Sequence, residues 1–121
     1  MVFGKHVTLD LCGCNDNLKD LQLHFDLLND LPEKIGMTKV TVPYVMPYKG
    51  IVPEDVGITG FCVIAESHIS IHSFEKKNYC FVDIFSCKTF DVDKAVDVFL
   101  KAFDPLTHSI NVITRGVDFP R

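Results

Sequence analysis

Between Gly60 and Lys88 the chain carries a hydroxyl, two imidazoles and a thiol that sit oddly in their surroundings: Ser67, His68, His72 and Cys87. By type they are a nucleophile, candidate bases and an acid. Around them the sequence is that of a buried strand. Val, Ile and Phe dominate, with no Pro and one Gly, a composition that favours extended chain. A core strand has no packing use for Glu66-Ser67-His68 in its middle, because each buried polar group left unpaired costs about 1–3 kcal/mol. Where sequence rules fail locally, a functional or strained site is the usual cause.

Alternation assigns faces. If Ser67 to Phe74 is extended, His68, Ser70 and His72 share one face, and Ile69, Ile71 and Ser73 take the other. In the next run Cys80, Val82, Ile84 and Ser86 share a face opposite Phe81, Asp83, Phe85 and Cys87. Apolar residues on both faces suggest a sheet covered on both sides. A reversal near Lys76-Lys77-Asn78 makes these two runs a hairpin, with Ser67 roughly opposite Cys87.

The elements that must position these residues follow from periodicity. His6 to Cys12 alternates as a strand. Gly13-Cys14-Asn15-Asp16-Asn17 is a turn with N-cap candidates. Leu18, Leu21, Phe25 and Leu28 form the apolar stripe of a helix that stops near Leu31-Pro32 or runs raggedly to Gly36. Thr38 to Tyr44 reads as a second strand. Pro43, Pro47, Gly50, Pro53 and Gly57 punctuate a loop bearing Glu54 and Asp55, and the signature strands begin near Ile58. Asp91 or Asp93 caps a second helix that buries Ala95, Val96, Phe99, Leu100 and Phe103 and ends at Asp104-Pro105. Ser109 to Thr114 is a last strand, and Arg115 to Arg121 a tail. The order β-α-β-β-β-β-α-β predicts an α+β fold, a two-layer sandwich of mostly antiparallel sheet with two helices on one face. The other face then needs a cover. A second copy is the simplest, giving a homodimer with sheets packed together (αββα).

Length and composition bound the function. The chain's 121 residues make one domain, residues 1–121, which buries about two-thirds of its unfolded surface. The formal charge is −4, and no basic stripe offers itself to nucleic acid. No signal core or membrane-spanning run is evident. Five cysteines, an odd number without a secretory signal, point to reduced thiols in the cytoplasm.

Glu66-Ser67-His68, Ile71-His72 and Asp83-Ile84-Phe85-Ser86-Cys87 together resemble the S-adenosylmethionine decarboxylase family in its short prokaryotic form. Gly4-Lys5-His6, Pro32-Glu33-Lys34-Ile35-Gly36 and Arg115-Gly116 extend the resemblance over nearly the whole chain. It implies a proenzyme that cuts itself between Glu66 and Ser67, leaving fragments 1–66 and 67–121. The Ser67 hydroxyl attacks the Glu66 carbonyl to give an ester. Elimination and loss of ammonia then leave a pyruvoyl group at position 67, the only cofactor implied, which binds substrate as a Schiff base. By the same resemblance Thr59 is the assisting hydroxyl, a threonine where relatives carry serine. His72 is the processing base and Cys87 the catalytic proton donor.

The chain departs from the family near Lys76, where members place a carboxylate that grips the substrate ribose. Lysine only donates hydrogen bonds. Glu75 is adjacent, but a one-residue shift in a strand turns a side chain to the opposite face. S-adenosylmethionine, the family's commonest substrate, is therefore placed first, with arginine or ornithine as the alternative and a non-catalytic activator homologue as the competing class. Blander readings stand beside the sharp ones. Ser67 could be an ordinary strand serine, His72 a satisfied core histidine, Cys87 a small buried hydrophobe and His68 a site wall. Asp10 reads equally as a site-edge acid or a surface charge, and Glu54 and Asp55 as a solvated loop. Cys12-x-Cys14 with His6 or His24 lacks zinc spacing, so no metal is expected.

Overall fold

The computed structural model describes residues 3–120. Met1 and Val2, which begin the segment read as lacking a signal core, and Arg121, the end of the expected tail, lie outside the described residues. Six strands and two helices appear in the expected order. They are β1 (Gly4–Cys12), α1 (Leu21–Lys34), β2 (Tyr44–Tyr48), β3 (Gly57–Ile64), β4 (Ser67–Phe74), β5 (Tyr79–Ser86), α2 (Val92–Phe103) and β6 (Thr107–Arg115). All neighbouring strands are antiparallel, in the sheet order β2-β3-β4-β5-β1-β6. The fold is α+β, as the element order implied.

Local chemistry explains the ends. Asp20 accepts a hydrogen bond from Leu23 N–H at 2.9 Å and caps α1, and Asp91 accepts from Lys94 N–H at 3.0 Å and caps α2, each satisfying a donor that the first turn leaves orphaned. The sequence suggested a stop near Pro32, yet α1 runs through it to Lys34. The proline falls in the last turn, where its carbonyl still accepts from Met37 N–H at 2.7 Å. Gly36 follows at φ 76°, a left-handed position that glycine adopts without strain.

The second strand is not where the sequence placed it. Residues 38–42 form no strand: they make an isolated bridge, Lys39 to Ile64, and a few irregular backbone hydrogen bonds, Val40 N–H to the Val63 carbonyl at 3.0 Å among them, while Val40 and Val42 stand exposed. The strand is Tyr44–Tyr48, which contains Pro47. An edge strand tolerates proline because one of its sides pairs with nothing.

Val7, Leu9, Leu11, Ile69, Ile71, Val82 and Ile84 from one sheet face pack with Leu28, Leu31, Phe99 and Phe103 of the helices. The opposite face carries no helix among the described residues. Phe61, Phe81 and Ile113 lie on it, 43%, 43% and 50% exposed. No helix among the described residues is long and apolar enough to cross a membrane.

Candidate active site

β3 and β4 form a hairpin whose last pair is Ile64 with Ser67, leaving Ala65-Glu66 as a two-residue turn. Glu66 is at φ 61°. A side chain in the left-handed region costs about 1–2 kcal/mol, so the Glu66–Ser67 bond directly follows a strained residue. Ser67 opens β4 on the helix-covered side. It is 7% exposed, and its hydroxyl donates to the Ala65 carbonyl at 3.4 Å.

Its cross-strand partner is Ser86, not Cys87. The turn between β4 and β5 occupies four residues, so Phe74 pairs with Tyr79 and every rung shifts by one from the expected register. Ser86 is buried, and its Oγ accepts from Lys88 N–H at 3.1 Å. The sequence placed Ser86 on the face of Cys80, Val82 and Ile84 but set Cys87 opposite Ser67; a four-residue turn in place of three puts Ser86 there. Cys87 follows β5 and lines a cavity of about 250 Å³ with Gly4, Phe85, Arg115 and Phe119.

Thr59 and His72 occupy the far end of the same hairpin. They face each other across β3 and β4, with Thr59 Oγ1 and His72 Nδ1 hydrogen-bonded at 3.3 Å. The pair borders a cleft of about 500 Å³ with Met46, Tyr48, Asp55 and Phe74. His72 lies five residues along β4 from Ser67, about 17 Å of strand, and on the opposite face. A single chain thus brings Thr59 to His72 and Ser67 to Ser86, but does not gather Thr59, Ser67, His72 and Cys87 into one cleft.

Glu75 and Lys76 line a third cavity, of about 490 Å³, with Lys49, Gly50, Val52 and Pro53. Both reach it because residues 75–78 are turn, where the two-residue alternation of a strand no longer applies. The carboxylate beside Lys76 is therefore not turned away. Asp55 accepts from the Lys77 ammonium at 2.6 Å, so it ties the 53–55 turn to the β4–β5 turn and is more than a solvated loop residue. Asp10 sits on the helix-free face, on one rung with Phe81 and Ser109.

His68 is held between Phe61, stacked at 5.4 Å, and Phe85, at 5.5 Å. His6 meets Phe85 edge-on at 6.0 Å, and the Arg115 guanidinium lies 4.2 Å over the same ring. Burial first, then His6 and Arg115, pull the His68 pKa down, with Asp83 opposing. The ring is packed between aromatic side chains on the helix-free face. Burial pushes the Cys14 thiol up to about 11 and the Cys80 thiol up to about 12. Cys12 is exposed while Cys14 is buried.

The model of the S-adenosylmethionine decarboxylase family matches residues 5–116. The S-adenosylmethionine decarboxylase proenzyme of Archaeoglobus fulgidus is 33% identical, covering 96% of this chain and all of its own. That of Thermodesulfovibrio yellowstonii is 32% identical over 94% of this chain and 82% of its own, and that of Prochlorococcus marinus is 30% identical over 94% and 90%. The crystal structure of the adenosylmethionine decarboxylase from Aquifex aeolicus shares the fold, with a TM-score of 0.75 at 24% identity over 96% of this chain and 92% of that one. With a family model spanning nearly all its length and a relative 33% identical over nearly the whole of both chains, the chain belongs to the S-adenosylmethionine decarboxylase family.

Proposed function

We propose that this chain is a self-cleaving proenzyme of a pyruvoyl-dependent S-adenosylmethionine decarboxylase, cut between Glu66 and Ser67. The observation that carries this reading is the hairpin turn, which sets a left-handed Glu66 directly before a buried serine at the head of β4. Ser67 Oγ attacks the Glu66 carbonyl, and the amide becomes an ester. Removal of the proton on the residue-67 Cα expels the Glu66 carboxylate. Water then releases ammonia and leaves a ketone. Position 67 suits a ketone-ended chain, because the new terminus stays paired to β3 and β5. The pyruvoyl group supplies an electron sink while carbon dioxide leaves. Cys87 delivers a proton to the product carbon.

His72 is the base for elimination, with Thr59 assisting, yet both stand far from Ser67 in one chain. In the proposed homodimer a second copy packs on the helix-free face and supplies the missing pair. It buries Phe61, Phe81 and Ile113 and brings its own Thr59–His72 pair toward the first copy's Ser67–Cys87 end. A permanent interface there covers well over ~1,000 Å². The enzyme works in the cytoplasm with its thiols reduced. Lys76 favours a second substrate reading, arginine or ornithine; Glu75 on the same cavity keeps S-adenosylmethionine first.

Intact-mass spectrometry tests the cut. Wild type should give two pieces, the second ketone-terminated, and Ser67→Ala one. A wild-type chain that matures whole and unmodified refutes the enzyme reading and leaves the activator homologue. Co-expressing Ser67→Ala with His72→Ala tests the shared site, because the His72→Ala chains should be cut by the partner's His72. Carbon dioxide release from S-adenosylmethionine, arginine and ornithine ranks the substrates.

A further inference from the structure

Beneath the Thr59–His72 pair, on the other side of the sheet, lies a polar chain that the cleavage chemistry does not use. His24 of α1 is 0% exposed and Ser73 of β4 is 3% exposed. His24 Nδ1 is 2.7 Å from the Asp20 carbonyl oxygen, and Nε2 is 2.6 Å from Ser73 Oγ. Cys80 Sγ lies 3.7 Å from the same hydroxyl. A carbonyl only accepts, so the Asp20 contact places the proton on Nδ1 and makes Nε2 an acceptor. The Ser73 hydroxyl has one proton, and the nearer, stronger acceptor is Nε2.

The placement gives this chain a consequence. Ser73 shares a rung with Ile58 and Cys80, and the next rung holds Thr59, His72 and Phe81. Side chains alternate along β4, so a pin on Ser73 from below fixes how His72 stands above. We infer that His24, as the neutral imidazole, is a positioning residue for self-cleavage, holding the Thr59–His72 pair through its hydrogen bond with Ser73. The inference rests on the reading of Thr59 and His72 as processing residues.

Protonated His24 would present a second donor to Ser73 and lose this acceptance. Burial opposes that state by pulling the His24 pKa down, against the Asp20 carbonyl and carboxylate, which favour the charge. From β4 the imidazole meets the Ser73 hydroxyl and, beyond it on β5, the Cys80 thiol. From α2 it meets the Phe103 ring at 5.4 Å.

Three variants and one spectrum test the idea. Ser73→Ala should slow self-cleavage about fivefold to tenfold, the loss of one buried hydrogen bond. Ser73→Thr, which keeps the hydroxyl, should restore it to within about threefold. Cys80→Ala opens a small core cavity and lowers the thermal midpoint, but spares the His24–Ser73 bond, so its cleavage rate should stay within about threefold of wild type. In the uncut Ser67→Ala chain, histidine-ring NMR should show His24 neutral with its proton on Nδ1. Equal cleavage by Ser73→Ala and wild type overturns the inference. So does slowing in Cys80→Ala that matches Ser73→Ala, or an Nε2-protonated His24. A wild-type chain that never cleaves overturns the parent reading first, and is distinguishable because no variant comparison then exists.

Discussion

Glu66 is the residue whose backbone most directly tests the cleavage reading. Its φ of 61° costs about 1–2 kcal/mol in a residue with a side chain. Glycine relieves that strain but adds about 0.5–1 kcal/mol of unfolded-state entropy to be lost on folding. Glu66→Gly should therefore stabilise the uncut chain by about 0.5–1 kcal/mol. With an unfolding entropy near 2.1 cal/mol/K per residue, about 0.25 kcal/mol/K over this chain, the midpoint rises by about 2–4 °C. Calorimetry in the Ser67→Ala background reads this without interference from cleavage. If the turn relaxes as the amide becomes an ester, the same relief should slow cleavage about two- to fivefold in the Ser67 chain. Glu66→Ala keeps the strain and should do neither. A lower midpoint for Glu66→Gly, or an unchanged cleavage rate beside the raised midpoint, refutes the argument that strain is held at the scissile bond.

Acid should weaken the fold through His24. Its folded pKa is lowered from the ordinary 6.5 by burial, so the unfolded chain binds its proton first. Stability is full above about pH 6.5 and falls below it by up to about 1.4 kcal/mol per pH unit until the folded form also protonates; urea midpoints flat from pH 7.5 to 5 would contradict this. Cys87→Ser should cut decarboxylation about a hundredfold or more, since a hydroxyl is a far weaker acid than a thiol, while leaving cleavage near wild type; equal losses in both would remove Cys87 as proton donor. Lys76→Glu should raise kcat/KM for S-adenosylmethionine about tenfold by adding one charged acceptor, and no gain would assign the sugar to Glu75. Phe61→Glu with Phe81→Glu should reduce a dimer to a monomer in sedimentation; an unchanged mass would place the partner elsewhere.

Much of this architecture was legible in the sequence because two periodicities coincide with it. Ile69 and Ile71, then Val82 and Ile84, alternate as a half-covered sheet requires, and Val96, Phe99 and Phe103 repeat as a helix requires. The second strand was misread because Val40-Thr41-Val42 has strand composition but meets Val63 through irregular hydrogen bonds instead of a ladder, whereas Pro47 lies on an edge strand that sequence cannot reveal. The rung error at Ser86 has a different origin. Turn length sets register, and one residue more or less exchanges Cys87 for Ser86. The separation of Thr59–His72 from Ser67 was hidden for a third reason: spacing along a strand does not say whether a constellation closes within one chain.

The strand order has a bearing on what becomes of the molecule if it is cut at the proposed bond. The proposed fragment 1–66 holds β1, β2 and β3, and the proposed fragment 67–121 holds β4, β5 and β6, but the sheet runs β2-β3-β4-β5-β1-β6. The first fragment's β1 is thus clasped between two strands of the second, with complete ladders on both sides. Neither piece can leave without tearing a strand out of the middle of the other's sheet. Once both are unfolded, however, the join that made β3 and β4 neighbours no longer exists, and reassembly requires two separate chains to meet. The cut form should therefore persist by slow unfolding rather than by ready refolding. Its recovery from denaturant should depend on concentration in a way that the uncut chain's does not.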